Sequence, residues 1–196
     1  MKIAIIGGAG MLGRKLAERL ARDGQLGGKA ISHMSLYDVV PASVPQGASF
    51  PVEVMAGDLP AAGETDKIIA KRPDVIFHLA AIVSGEAELD FDKGYRINLV
   101  GTQNLLASVR QAYDGVAKKP RVVFASSIAV FGAPFPERIG DEFFTTPLTS
   151  YGTQKAIGEL LLADYTRKGM LDGIGLRLPT ICVRPGKPNK AASGFF

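Results

Sequence analysis

The chain has a single cysteine, Cys182, and only two histidines, His33 and His78. One thiol excludes an intrachain disulfide framework, and Cys182, set in an apolar stretch, reads as an ordinary buried thiol and not as a nucleophile. The two histidines fall on different strands with no cysteine or carboxylate at ligand spacing, so no metal centre is expected, and His78 reads as a packed, hydrogen-bonded core residue. No apolar run approaches the roughly 18 residues of a membrane span, and Met1 leads straight into a strand with no signal pattern, so the expectation is a cytoplasmic protein without membrane contact. The net charge of +4 comes from lysines and arginines scattered without a basic run or interleaved aromatics, which argues against a nucleic-acid partner. Repeats and low-complexity tracts are also absent. What remains is 196 residues, 46% hydrophobic and 21% charged, with the balance of a globular protein large enough to bury a full core.

The chain is organised around its first two dozen residues, KIAIIGGAGMLGRKLAERLARDG. Lys2–Ile6 is a short β-branched run suited to a strand buried on both faces, and Leu12, Leu16 and Leu20 then recur at helical spacing. The period switches at Gly7, Gly10 and Gly13, in a G-x-x-G-x-x-G frame. Missing Cβ atoms there permit the turn, let backbone approach a pyrophosphate and pack helix on strand, and the helix N-terminus faces the anion. Alone, the spacing also occurs in turns that bind nothing; the strand before it and the helix after it favour binding. Arg14 and Lys15 after Gly13 exclude a Walker A loop.

Strand and helix patterns alternate to about residue 180, which predicts a doubly wound parallel sheet with helices on both faces, an α/β fold. Residues 24–29 read as a loop and 31–37 as the second strand, ending in Asp38. A carboxylate at that strand end can accept hydrogen bonds from ribose hydroxyls and repels the extra phosphate of NADP. Val39, Val40 and Pro41 offer that phosphate no cation, so NAD is favoured. A third strand spans 51–56, followed by Gly57, by Asp58 beside the adenine end, and by a helix through Ile68 and Ile69 ending near Lys71 or Arg72. A fourth strand, 75–79, runs into Leu79, Ala80 and Ala81, small enough to leave room for a ligand over the carboxyl end of the sheet.

Residues 84–93 read as polar and irregular, and a helix with Ile97, Leu99, Val100, Leu105 and Leu106 follows. Asn98 within it either points to water or turns an amide inward, and the pattern leaves both open. Residues 121–125 form a fifth strand with Ser126 and Ser127 at its carboxyl end, facing the ligand crevice or, for one of them, capping the turn. The long segment 132–150 has no regular period and reads as a wall or lid of a site. Tyr151 and Lys155 then lie four apart on one helical face, where an ammonium near a phenol lowers a pKa otherwise near ~10 and makes Tyr151 a candidate base near neutral pH. Such pairs on surface helices are mostly inert; their place after a glycine turn, an acidic strand end and a serine-ended strand gives this one weight. A sixth strand covers 174–178.

Taken in order, GGAGMLG at 7–13, Asp38, AGDL at 56–59, HLAA at 78–81, NLVGTQNLL at 98–106, SSIAVFG at 126–132 and YGTQK at 151–155 resemble the extended short-chain dehydrogenase/reductases, the NAD-dependent epimerase/dehydratase family. The resemblance covers nearly the whole chain and its wording is nearest to members that oxidise a four-carbon sugar acid. It implies an oxidoreductase moving hydride between a secondary alcohol of a small sugar acid and NAD. Tyr151 is then the base; Lys155 lowers its pKa and holds the nicotinamide ribose, Ser127 orients the reacting oxygen, and Asn98 supports them. It further implies that Gly7, Gly10, Met11, Leu12, Gly13, Asp38, Asp58, Leu59, Leu79, Ala80, Ala81, Asn98, Tyr151, Lys155 and Pro179 contact NAD, and that the protein forms a homodimer through the helices carrying Asn98 and Tyr151.

Two departures from the family stand out. Phe131 replaces the tyrosine of its S-x-x-V-Y-G pattern, which places the catalytic hydroxyl on Ser127 and not Ser126. The chain also stops at Phe196, so residues 1–180 are expected to form the NAD-binding domain and 181–196 the start of a truncated substrate-binding region. There Arg184, Lys187 and Lys190 either pair with a substrate carboxylate or form a solvated basic loop. Ile128 and Ala129 stand where 4,6-dehydratases place Asp and Glu. A sugar-nucleotide epimerase and a non-catalytic dinucleotide-binding regulator remain as alternatives.

Overall fold

A computed structural model describes residues 1–181. Strand β1 (Lys2–Ile6) feeds helix α1 (Met11–Asp23), and a small antiparallel ribbon of β2 (Gln25–Leu26) and β3 (Lys29–Ala30) occupies what the sequence presents as a plain loop. Gly27 and Gly28, at φ +56° and +76°, supply the two consecutive positive φ values that so tight a hairpin needs, which is why the pairing forms there. Next come β4 (His33–Asp38), β5 (Val52–Ala56), α2 (Glu64–Ile69) and β6 (Val75–His78). The strand expected from residue 31 starts at His33, because the Ile31 and Ser32 amides donate instead to the carbonyls of Gly24 and Met1.

Residues 84–93, read from sequence as irregular, form two short helices, α3 (Ser84–Leu89) and α4 (Phe91–Gly94). Each buries one small residue, Ala87 or Gly94, so no apolar period betrays them; Asp90 caps α4 by accepting from the Lys93 amide at 3.0 Å. A π-helical turn, Tyr95–Val100, then leads into α5 (Gly101–Ala112). Strand β7 (Arg121–Ser127) takes in both serines, a 3-10 turn covers Ile128–Val130, and α6 (Ser150–Arg167) and β8 (Asp172–Leu178) complete the described residues.

Six strands form one sheet in the order β5-β4-β1-β6-β7-β8, every pairing parallel. The chain moves outward one way through β4 and β5, then returns to the other side of β1 through β6. The switch point therefore lies between β1 and β6, where a crevice opens at the carboxyl ends of doubly wound sheets. Alternation along β1 assigns its side chains to two cores: Ala4 and Ile6 pack with Ile68, Leu105 and Leu106, while Ile3 and Ile5 pack with Ala17, Leu20 and Leu36. Helices thus cover both faces, as the uninterrupted apolar strands predict.

Candidate active site

At the switch point, Gly7 adopts φ +94° and its amide, with that of Gly8, donates to the Tyr37 carbonyl at 2.8 and 3.0 Å. A Cβ on Gly7 would stand 2.6 Å from the Ala80 nitrogen, and one on Gly13 only 2.1 Å from the Gly7 carbonyl oxygen. These two glycines are therefore demanded by close backbone packing of the β1 turn against the β6 loop and α1. Gly10 differs: its Cβ would meet only the Gly7 oxygen at 3.3 Å, and it is the N-cap of α1 with no side-chain cap. Its bare backbone, with Met11, Leu12 and Gly13 of the first turn, lines a cleft of about 540 Å³. A side-chain-free cradle over unpaired helix N–H groups is the form that a pyrophosphate fits.

Leu79 and Ala81 line the same cleft, with Ile82, Val83 and Ser84 beyond them. Asp38 sits at the end of β4, where its two carboxylate oxygens accept from the amides of Ala9 at 2.9 Å and Val39 at 2.7 Å. That locks its orientation beside the glycine turn while leaving lone pairs for further donors. Asp58 forms a forked ion pair with Arg96 at 2.7 and 3.4 Å. Asp38, Asp58, Leu59 and Ala80 all lie outside the cleft lining. The Leu59 side chain is buried in the core beneath Gly101, and Ala80 packs against the same core while its backbone presses on Gly7.

The other end of the cleft is built by β7, β8 and α6, from Ser126, Ser127, Tyr151, Lys155, Leu178 and Pro179. Thr149 caps α6, accepting from the Gly152 amide at 3.0 Å, and a Cβ on Gly152 would fall 2.1 Å from the Ala129 oxygen, so the helix start is pressed onto the 3-10 turn. Tyr151 thereby lines the same cleft as Ser127. Lys155 is buried, donates to the Ala125 carbonyl at 2.8 Å, and places Nζ 5.6 Å from the Tyr151 ring centre. Burial pulls its pKa down to about 8.

The serines divide their duties. Ser126 donates to Glu159, whereas the Ser127 oxygen accepts from the Ala129 amide at 3.1 Å and keeps its hydroxyl proton for another acceptor. Ser127 thus both caps the turn and lines the cleft. Asn98, which the sequence leaves between water and interior, is buried, and its amide bonds the backbone of Ile82 and the side chain of Gln154. It reaches the cleft only through Ile82. His78 is buried with Nε2 2.8 Å from the Thr102 hydroxyl, as a packed histidine should be; burial first, and then the Lys155 charge, lower its pKa to about 3.

The long segment after β7 does not wall this cleft, whose lining passes from Ala129 directly to Tyr151. Phe143 packs on Phe131 with ring centres 5.8 Å apart, and Arg177 donates to the Asp141 carbonyl at 3.1 Å, holding the segment against the outer side of α6 and β8. Sequence reasoning missed Ile82, Gln154, Glu159 and Arg177. Glu159 had a legible cue, lying one helical turn after Lys155 on the face of Tyr151; Gln154 had none. Cys182, Arg184, Lys187, Lys190 and the rest of the expected 181–196 region beyond Ile181 lie outside the described residues.

A family model described as "NAD dependent epimerase/dehydratase family" matches residues 3–195. Among curated relatives, D-erythronate dehydrogenase from Cupriavidus necator is 48% identical over 200 residues, an alignment covering 100% of this chain and 60% of that protein. Among solved structures, the nucleoside-diphosphate-sugar epimerase from Agrobacterium tumefaciens superposes with a TM-score of 0.95 at 67% identity, covering 100% of this chain and 57% of that one. UDP-glucose 4-epimerase from Brucella ovis, solved in complex with NAD, superposes with a TM-score of 0.73 at 31% identity over 90% of this chain and 51% of that one. The chain therefore spans about 60% of the length of the curated relative it matches. With the sheet order, the glycine turn at the switch point and the family match over nearly every residue in agreement, the chain belongs to the NAD dependent epimerase/dehydratase family.

Proposed function

We propose that the whole protein is an NAD-dependent oxidoreductase that interconverts a secondary alcohol and a carbonyl on a small sugar acid of the D-erythronate type. The observation that carries this is one cleft with a backbone cradle at the α1 N-terminus and Ser127, Tyr151 and Lys155 gathered at its far end. Gly7, Gly10, Met11, Leu12 and Gly13 would hold the pyrophosphate, Asp38 the adenosine ribose, and Asp58 the adenine end, with Leu59 and Ala80 supporting that surface from behind. Lys155 and Tyr151 would hold the nicotinamide ribose, between Leu79 and Ala81 on one side and Pro179 on the other.

When bound, NAD supplies the hydride acceptor, so that the alcohol carbon becomes a carbonyl carbon as NADH forms. The alcohol proton passes to the Tyr151 phenolate, and the Ser127 hydroxyl donates to the reacting oxygen and fixes its approach. Lys155 places positive charge beneath the phenol, and Asn98 holds the Ile82 backbone at the wall. The sugar-acid substrate is supported by likeness to a relative named D-erythronate dehydrogenase. Likeness to a structure named as a nucleoside-diphosphate-sugar epimerase supports a second reading, in which the same three residues serve transient oxidation of a sugar nucleotide.

We further place the protein in the cytoplasm; among the described residues no helix is long and apolar enough to cross a membrane. Exposed Val100 and Leu160, on the helices carrying Asn98 and Tyr151, support a homodimer through that face. The deciding experiment incubates the full-length protein with NAD and a panel of four-carbon sugar acids including D-erythronate, with NADP and sugar nucleotides in parallel. NADH released with a sugar acid establishes the first reading; retained cofactor with interconversion of a sugar nucleotide and no NADH establishes the second.

A further inference from the structure

We propose that Gln154 is a positioning residue that fixes the cleft wall at Ile82 by acting through Asn98. The donors and acceptors permit one arrangement. The Ile82 amide donates to Asn98 Oδ1 at 2.9 Å, so Asn98 Nδ2 must serve the opposite partners, giving one proton to the Ile82 carbonyl at 3.2 Å and the other to Gln154 Oε1 at 2.7 Å. Both Asn98 donors are then used, and its amide grips residue 82 as a neighbouring strand would. Ile82 itself lines the cleft.

Gln154 is fully buried and immediately precedes Lys155 on α6. The helix that presents Tyr151 and Lys155 is thus joined to the opposite wall of the cleft by a bond between two side-chain amides. Room for it is kept by Gly94, where a Cβ would fall 2.7 Å from Gln154 Nε2. Nε2 itself has no hydrogen-bond partner among the described residues. A buried amide with one end unsatisfied is a costly filler, and an apolar side chain would pack there more cheaply. What an apolar side chain cannot supply is the Oε1 acceptor that holds Asn98.

The inference rests on reading the cleft as the NAD site, and its test has a readout independent of that. Gln154→Met removes the acceptor at similar size, whereas Gln154→Glu retains an acceptor toward Asn98. In the nucleotide-free, full-length protein, amide hydrogen exchange at Ile82 is expected to quicken about tenfold in Gln154→Met and to stay within about threefold of wild type in Gln154→Glu, with Ile5 in β1 as the unchanged reference. The dissociation constant for NAD is expected to rise about tenfold in Gln154→Met, and adding that change to Asn98→Ala is expected to have no further effect, because the first acts through the second. Unchanged Ile82 exchange in Gln154→Met, or effects that multiply in the double variant, would overturn the proposal. If Gln154→Met does not fold, Gln154→Asn, one methylene too short to reach, gives the same comparison. Wild-type protein that binds no NAD refutes the NAD reading alone, and Ile82 exchange still decides the role of Gln154.

Discussion

Lys155 Nζ stands 5.6 Å from the centre of the Tyr151 ring, one helical turn along α6, and is held there by its bond to the Ala125 carbonyl at the end of β7. The cation is therefore tied to the sheet as well as placed beneath the ring. Replacing Tyr151 with Phe removes the phenol proposed as proton acceptor and leaves the Lys155–Ala125 bond in place. Turnover is expected to fall by about 10²- to 10⁴-fold, while the NAD dissociation constant, measured by fluorescence titration, moves by less than about threefold.

Burial of Lys155 also sets a pH dependence of stability. Its pKa is about 8 in the folded protein against an ordinary value of 10.5, so between those values the unfolded chain binds the extra proton and stability rises with pH from this group. The full penalty for burying the charge is present below about pH 8. In denaturant unfolding from pH 7 to pH 10.5, the wild type is expected to gain on Lys155→Met with a slope approaching about 1.4 kcal/mol per pH unit above pH 8. A difference that does not change with pH would show that the ammonium is hydrated.

His78 acts in the acid range. With a folded pKa of about 3 against 6.5 unfolded, it costs nothing above pH 6.5, and stability is lost progressively as pH falls from there toward 3, because the unfolded chain alone takes the proton. His78→Asn lacks that titration. Its stability is expected to fall less steeply than wild type between pH 6 and pH 4 by up to about 1.4 kcal/mol per unit, as read from urea midpoints at each pH.

The glycines separate fold from binding. A Cβ at position 13 would strike the Gly7 carbonyl oxygen at 2.1 Å and the Gly8 Cα at 2.8 Å, so Gly13→Ala is expected to destabilise the protein by about 1–3 kcal/mol as α1 is forced off the turn. At Gly10, φ is −68° and the nearest atom to a Cβ lies 3.3 Å away, so Gly10→Ala is expected to unfold within about 1 kcal/mol of wild type while weakening NAD at least tenfold, by occupying the cradle. Thermal unfolding and calorimetric titration of the two variants check this together.

Strand and helix alternation, the glycine turn at 7–13, the acidic end of β4 and the Tyr151–Lys155 spacing are all local, and each could be read directly because its period or residue type already dictates backbone shape. Helices α3 and α4 could not, since each buries one small residue rather than an apolar stripe, and only α4 has a side-chain cap. Nor could the placing of the 132–149 segment. Its course is set by Arg177, Asp141 and the Phe131–Phe143 pair, which lie far apart in sequence, so length alone suggested a wall of a site, whereas the segment is absent from the lining of the Tyr151 cleft.

By itself, then, the sequence determined the alternation of strands and helices, the glycine turn and the helix bearing the tyrosine and lysine, because these depend on residue types and periods within a few residues. Only the tertiary structure decided that Asn98 faces inward onto Ile82, that Ser126 is spent on Glu159 while Ser127 keeps its hydroxyl proton, and that Gln154 is buried with its carbonyl oxygen accepting from Asn98. Those outcomes depend on which buried donor meets which acceptor across separate elements. A hydrogen bond is settled to a few tenths of an ångström by packing that no single stretch of chain encodes.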